Sequence, residues 1–171
     1  MDDSMERALR QGQAWWARYR IRARVLVPTD LAGLVFAGLT KELPSEKPPA
    51  GTGLTLVLRE EPVDWERQVR LIVRQERAPG IHPTLAQVPD LLEERAVPLL
   101  GTTATLSVGG AHPAGRIRFD RDRILPHVPM SRLLWAQGGI AYMVCAWGLP
   151  EGTLLRVAAS LRPLGPDPAT R

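Results

Sequence analysis

Two stretches in the last third of the chain alternate apolar and polar residues, and each is broken by a Gly-Gly pair. From Thr103 to Val108, Ala104, Leu106 and Val108 share one side and Thr103, Thr105 and Ser107 the other. Gly109-Gly110 follows and reads as a turn into Arg116–Asp120, where Ile117 and Phe119 alternate with Arg116, Arg118 and Asp120. A second pair, Arg132–Gln137 and Ile140–Trp147, is joined by Gly138-Gly139. Successive side chains of a strand point to opposite faces, and tight hairpin turns need the positive φ that glycine tolerates. Together these patterns predict an antiparallel sheet.

The rest of the chain supplies partners for that sheet. Ser4 is placed to cap a polar helix over Met5–Ala14, with Glu6 in its first turn and Met5, Ala8 and Leu9 as its apolar strip. Tyr19–Val27 reads as a strand that Pro28 stops. Tyr19, Ile21, Ala23, Val25 and Val27 lie on one side of it, Arg20, Arg22 and Arg24 on the other. For Leu31–Leu39 periodicity leaves a buried strand and a packed loop both open. Lys41–Gly53, with its prolines and glycines, reads as a surface loop. Leu54–Arg59 and Val69–Arg74 read as strands. Thr84–Leu100 reads as a helix kinked or restarted at Pro89, its stripe Leu91, Leu92, Arg95, Ala96 and Leu99, its C-terminal cap Gly101. Glu151–Arg162 reads as a short closing helix with Leu154, Leu155, Ala158 and Leu161 at core spacing, and Pro163–Arg171 as a loose tail.

A chain of 171 residues can bury one core, so the expected partition is a helical extension at 1–18, a single domain at 19–162 and a tail at 163–171. The net charge is +4, mild for a dedicated nucleic-acid binder. Of the 22 basic residues only Lys41 and Lys47 are lysine, which leaves 20 arginines; GC-rich coding is the plainer explanation, and a surface for an anionic partner the rival one. Cys145, the single cysteine, sits in an apolar strand and reads as a buried, inert thiol. The acidic start Met1-Asp2-Asp3 lacks the features of a signal peptide, and no apolar run is long enough to span a membrane, so the expected location is cytoplasmic.

Val108-Gly109-Gly110-Ala111-His112-Pro113-Ala114, the Gly139-Ile140-Ala141-Tyr142 strand and the closing Ala159-Ser160-Leu161-Arg162 together resemble the PsbP-like superfamily over roughly Leu54–Arg162. The resemblance implies an α+β fold, an α/β/α sandwich with a mainly antiparallel sheet flanked by helices. Its members are mostly binding proteins. Lacking a lipobox, the chain is nearest in character to the cytoplasmic effector-associated (Eag) chaperones of type VI secretion, small dimers whose sheet cradles apolar helices of an effector. The helix before Tyr19 and the sequence Val27-Pro28-Thr29-Asp30, which has no tryptophan, depart from that subfamily's pattern.

The residues themselves offer little chemistry. His82, His112 and His127 each neighbour proline and share no metal-ligand spacing; no nucleophile elbow occurs, and Gly51-Thr52-Gly53 lacks the lysine of a phosphate loop. No cofactor, metal or catalytic residue is expected. The expected function is a non-enzymatic adaptor or chaperone for a protein partner, such as an apolar helical segment of a secreted or membrane-associated effector, with a homodimer an option. Leu133, Trp135, Ile140, Tyr142 and Val144 are its candidate apolar binding face, although flanking helices or a dimer interface would account for them equally well. Trp15 and Trp16 are candidate accessory anchors, with a lid over the core as the alternative, since two adjacent tryptophans cannot both turn inward. On this reading Trp135→Asp loses the partner and keeps the fold. The rival is an anion-binding module built on Arg20, Arg22 and Arg24, with nucleic acid disfavoured because no aromatic residue interleaves with them.

Overall fold

Asp2, not Ser4, starts the first helix: its Oδ1 accepts the Met5 N–H at 2.7 Å. In the computed structural model, which describes residues 2–42, 52–62, 69–77, 88, 91–111 and 128–165, helix α1 spans Asp3–Arg18 and takes in both adjacent tryptophans. Met5, Leu9, Gly12 and Trp16 form its buried stripe at helical spacing. Gly12 permits close packing, since a Cβ there would stand 3.1 Å from Leu39 Cδ2 and 3.2 Å from Leu54 Cδ1.

The strand expected at Tyr19–Val27 is cut down to β1, Leu26–Pro28. Two causes are visible. Arg20 adopts φ 57°, with Ile21 N–H donating to the Trp16 carbonyl at 3.1 Å and Arg20 N–H to that of Ala17 at 3.0 Å. That is a Schellman stop, and buried Ile21 and Trp16 supply the apolar contact that accompanies it. Beyond the stop, side-chain amides replace a neighbouring strand. Gln13 donates to the Ala23 carbonyl at 3.1 Å and accepts from Val25 N–H at 2.8 Å. Gln75 brackets Leu26 in the same way, accepting at 2.7 Å and donating at 2.8 Å. Ile21, Val25 and Val27 are still buried, so the apolar alternation reports burial without reporting a ladder.

Strands β2 (Val35–Glu42), β3 (Gly53–Arg59) and β4 (Arg70–Arg77) form one antiparallel meander; β5 (Leu91–Leu99), β6 (Thr102–Ala111), β7 (Val128–Gln137) and β8 (Ile140–Trp147) form another. They join along β4 and β8 into a seven-stranded sheet of order β2-β3-β4-β8-β7-β6-β5. Gly138 and Gly139 turn β7 into β8 with φ 60° and 78°, as expected. Gly109 and Gly110 do not turn the chain. They lie inside β6, opposite Met130 and Pro129. The expected strand at Arg116–Asp120 falls outside the described residues.

The largest departure is β5, where a helix was expected. Glu93, Arg95, Val97 and Leu99 alternate with Glu94, Ala96 and Pro98, and Leu100-Gly101 closes a hairpin onto β6 with φ 49° and 77°. Pro98 would remove a backbone bond inside a helix; on this outer strand it costs nothing. Gly101 is thus a turn residue and caps no helix.

Helix α2 (Glu151–Ala159) is shorter than expected, because Leu161–Pro163 leaves it as β9 and pairs with β1. Leu164 is buried and its N–H donates to the Val25 carbonyl at 2.8 Å, so the chain is held as far as this point; 166–171 lie outside the described residues. Met5, Leu9 and Trp16 of α1 and Leu154, Val157 and Ala158 of α2 share one core with Leu54, Leu56, Leu71, Val73, Leu133 and Val144. The register puts these strand residues on a single sheet face. The fold is α+β, a mainly antiparallel sheet with helices, and both described helices cover that same face.

Candidate functional site

Leu133, Trp135, Ile140, Tyr142 and Val144 do share one face, but it is the helix-covered one. Their exposures run from 0% to 6%. They are core, and the expected open binding face is corrected accordingly. The strand alternation was right; which face the helices cover is a tertiary fact that it does not encode. The tryptophans divide as two neighbours on a helix must. Trp16 is fully buried, which removes it as an anchor, while Trp15 is half-buried and meets Tyr19 edge-to-face at a centroid distance of 5.1 Å. Arg20, Arg22 and Arg24 are exposed, but they stand on the irregular link between α1 and β1 and form no strand ladder.

The opposite face of the sheet carries a row in register: Ile72, Cys145, Arg132, Ser107 and Glu94 from β4 to β5. Arg132 is 5% exposed; its Nη2 donates to Ser107 Oγ at 2.9 Å and lies 4.0 Å from a Glu94 oxygen. Its Nε and Nη1 have no hydrogen-bond partner among the described residues. Next to this row, Arg74 and Glu76 form a buried ion pair at 2.7 Å, and Arg70 stacks on the Trp147 ring at 4.3 Å. Met130, Met143 and Cys145, with Val88, form a separate small apolar cluster.

Burial pushes the Cys145 thiol up from 9.0 to about 12, although the Arg132 and Arg70 guanidinium groups pull the other way. A thiol needs its thiolate to react, so native Cys145 should resist a thiol reagent at about pH 8 and react fully once the chain is denatured. The same shift sets a sign: the neutral thiol favours the folded state below the ordinary value of 9.0, and this contribution is lost as pH rises toward about 12. A Cys145 that reacts at the rate of a free thiol in native protein would contradict both statements.

One feature that the sequence reading missed is open to a partner. Leu91 and Leu92 are 52% and 83% exposed and sit at the start of β5, the sheet's outer strand. Reading them as a helix stripe hid this; the signal was the alternation into Pro98 followed by a Leu-Gly turn. Arg95 then donates to both Glu93 and Glu151, tying β5 to the start of α2. Beside that tie is a cavity of about 340 Å³ lined by Val108, Pro129, Met130, Ser131 and Gly148–Glu151. Among the described residues no group of three His, Cys, Asp or Glu side chains could hold a metal ion, and no helix is long and apolar enough to cross a membrane. Comparison with family models, curated proteins and solved structures found no match.

Proposed function

We propose that this chain is a non-enzymatic adaptor or chaperone that receives an extended segment of a partner protein along the open edge of β5. The observation that carries the reading is the exposure of Leu92, 83%, on a strand paired on one side only among the described residues. An outer strand offers a row of unpaired backbone groups, and an added strand gains main-chain hydrogen bonds from them. The Leu91-Leu92 pair adds apolar contact at one end; Pro98 and the bulge between Leu91 and Glu93 limit how far pairing can run.

Several registers of self-pairing along that edge are disfavoured. Antiparallel self-pairing centred on Glu93, Glu94 or Arg95 sets a like charge directly opposite its own copy. A partner strand with apolar residues opposite Leu91 and Leu92 and basic residues opposite the glutamates complements it. The finer expectations, a PsbP-like fold and a cytoplasmic chaperone related to the effector-associated type, belong to the same proposal.

Leu92→Asp is the direct test. The side chain is exposed, so the variant should unfold at the wild-type temperature and yet lose the protein that wild type captures from native lysate, at low and at high salt. Equal capture by both forms removes β5 as the docking edge. Capture that disappears with salt alone returns the argument to an anionic partner on Arg20, Arg22 and Arg24.

A further inference from the structure

We infer that the cavity at the start of α2 is a second binding element, an anchor pocket for an apolar side chain together with its neutral backbone carbonyl. The inference rests on the protein-binding reading and deepens it. The pocket lies beside the docking edge: Glu93 of β5 pairs in register with Val108, which forms one wall. Pro129, Met130, Leu149 and Pro150 add apolar walls, and the volume of about 340 Å³ lies within the range of small ligand sites.

Two features call for a hydrogen-bond acceptor inside it. Ser131 lines the cavity, is 3% exposed, and its Oγ has no hydrogen-bond partner among the described residues. Buried hydroxyls are ordinarily paired, so an unpaired one at a cavity wall marks a place for a partner atom. The second feature is the N-terminus of α2. Its cap is Pro150, which makes no side-chain cap bond; the Thr153 N–H donates to the Pro150 carbonyl at 3.0 Å, so Glu151 and Gly152 are the first-turn N–H groups that could meet a ligand.

Charge then selects the acceptor. Glu151 lines the cavity, and Arg95 pairs with its carboxylate and with that of Glu93. Among the described residues these three side chains sum to one negative charge, set beside the partial positive charge of the α2 N-terminus. A carboxylate or phosphate ligand meets that excess negative charge, whereas a neutral peptide carbonyl takes the O–H and N–H donors without it. The occupant is therefore a neutral acyl-amide with an apolar side chain, the chemistry of a peptide segment within a chain and not of a free C-terminus.

The test needs no partner. N-acetylleucinamide, and N-acetylleucine as its carboxylate counterpart, are titrated into the labelled protein and followed by NMR. Expected is saturable binding of the amide, with shifts at the Ser131, Gly148 and Gly152 amides and the Met130 methyl, and binding of the carboxylate at least about tenfold weaker. Ser131→Ala removes the donor and should weaken the amide by about fivefold to tenfold. Glu151→Gln should narrow the gap between the two ligands. No saturable shifts at the pocket, or equal binding of both ligands by wild type, overturns the inference. Leu92→Asp separates the two readings: if it keeps its partner while the amide still binds wild type, the edge fails and the pocket stands; if it loses its partner while the amide never binds, the reverse holds.

Discussion

Trp135→Asp leaves no folded protein. Trp135 is 5% exposed, packs in the main core and stacks on Tyr142, its partner across the β7–β8 hairpin, at 5.1 Å and 16°. Truncating a buried tryptophan costs about 3–5 kcal/mol, and burying a carboxylate among leucines adds several more. A domain of ordinary stability, about 5–15 kcal/mol, has little left after that. The informative companion is Trp135→Phe. The indole Nε1 has no hydrogen-bond partner, so phenylalanine keeps a ring in the stack and removes an unsatisfied donor. Its expected cost is about 1–2 kcal/mol, within the range of a modest volume loss. Circular dichroism of Trp135→Asp and urea unfolding of Trp135→Phe measure both. A Trp135→Asp protein that melts like wild type would show that this face is open after all, and would restore it as a docking surface.

That result bears on what could be read from the residues alone. Strands β3 and β4 were legible because their apolar residues recur at every second position, and β7 and β8, apolar on both faces, because Gly138-Gly139 supplies the turn. The face that their apolar residues occupy was legible as well; its covering was not. Alternation says which side chains share a face, and only the paths of α1 and α2 decide which face is covered. Two misreadings have a common cause. Leu91–Leu99 has apolar residues that fit a helical stripe and a strand equally, and its pairing with β6 decides between them. Ile21–Val27 has the alternation of a strand, but the Gln13 and Gln75 amides occupy backbone groups that a neighbouring strand would use. In both places the deciding partner is remote in sequence. The same holds for the proposed site, where Ser131, Arg95 and Glu151 come from three elements and carry no motif.

Glu76→Ala should be the costliest substitution on the sheet face opposite the helices. Glu76 is fully buried and Arg74, two residues away on the same side of β4, is 3% exposed. Glu76 Oε2 accepts from Arg74 Nη2 at 2.7 Å and from its Nε at 2.9 Å, and Arg74 Nη1 reaches Thr55 Oγ1 at 3.3 Å. Gly53 makes room across the strand pair, since a Cβ there would stand 3.4 Å from Arg74 Nη2 and 3.5 Å from Glu76 Oε2. Two charges out of water are tolerable together and not singly. Removing the carboxylate takes an ion pair and two hydrogen bonds from the buried guanidinium and should cost about 3–5 kcal/mol, whereas replacing both, as Arg74→Met with Glu76→Leu, should cost less than the sum of the two singles. Urea unfolding of the two singles and the double closes the cycle and gives the coupling directly. Arg132 supplies the contrast on the same face. It is nearly as buried, yet two of its nitrogens lack partners and the nearest Glu94 oxygen is 4.0 Å away. Arg132→Met therefore removes a poorly compensated charge and should be neutral or stabilising. If Glu76→Ala proves as mild as Arg132→Met, then hydrogen-bond geometry does not govern the cost of charge on this face, and the buried Arg74–Glu76 pair contributes nothing to holding β4 in the sheet.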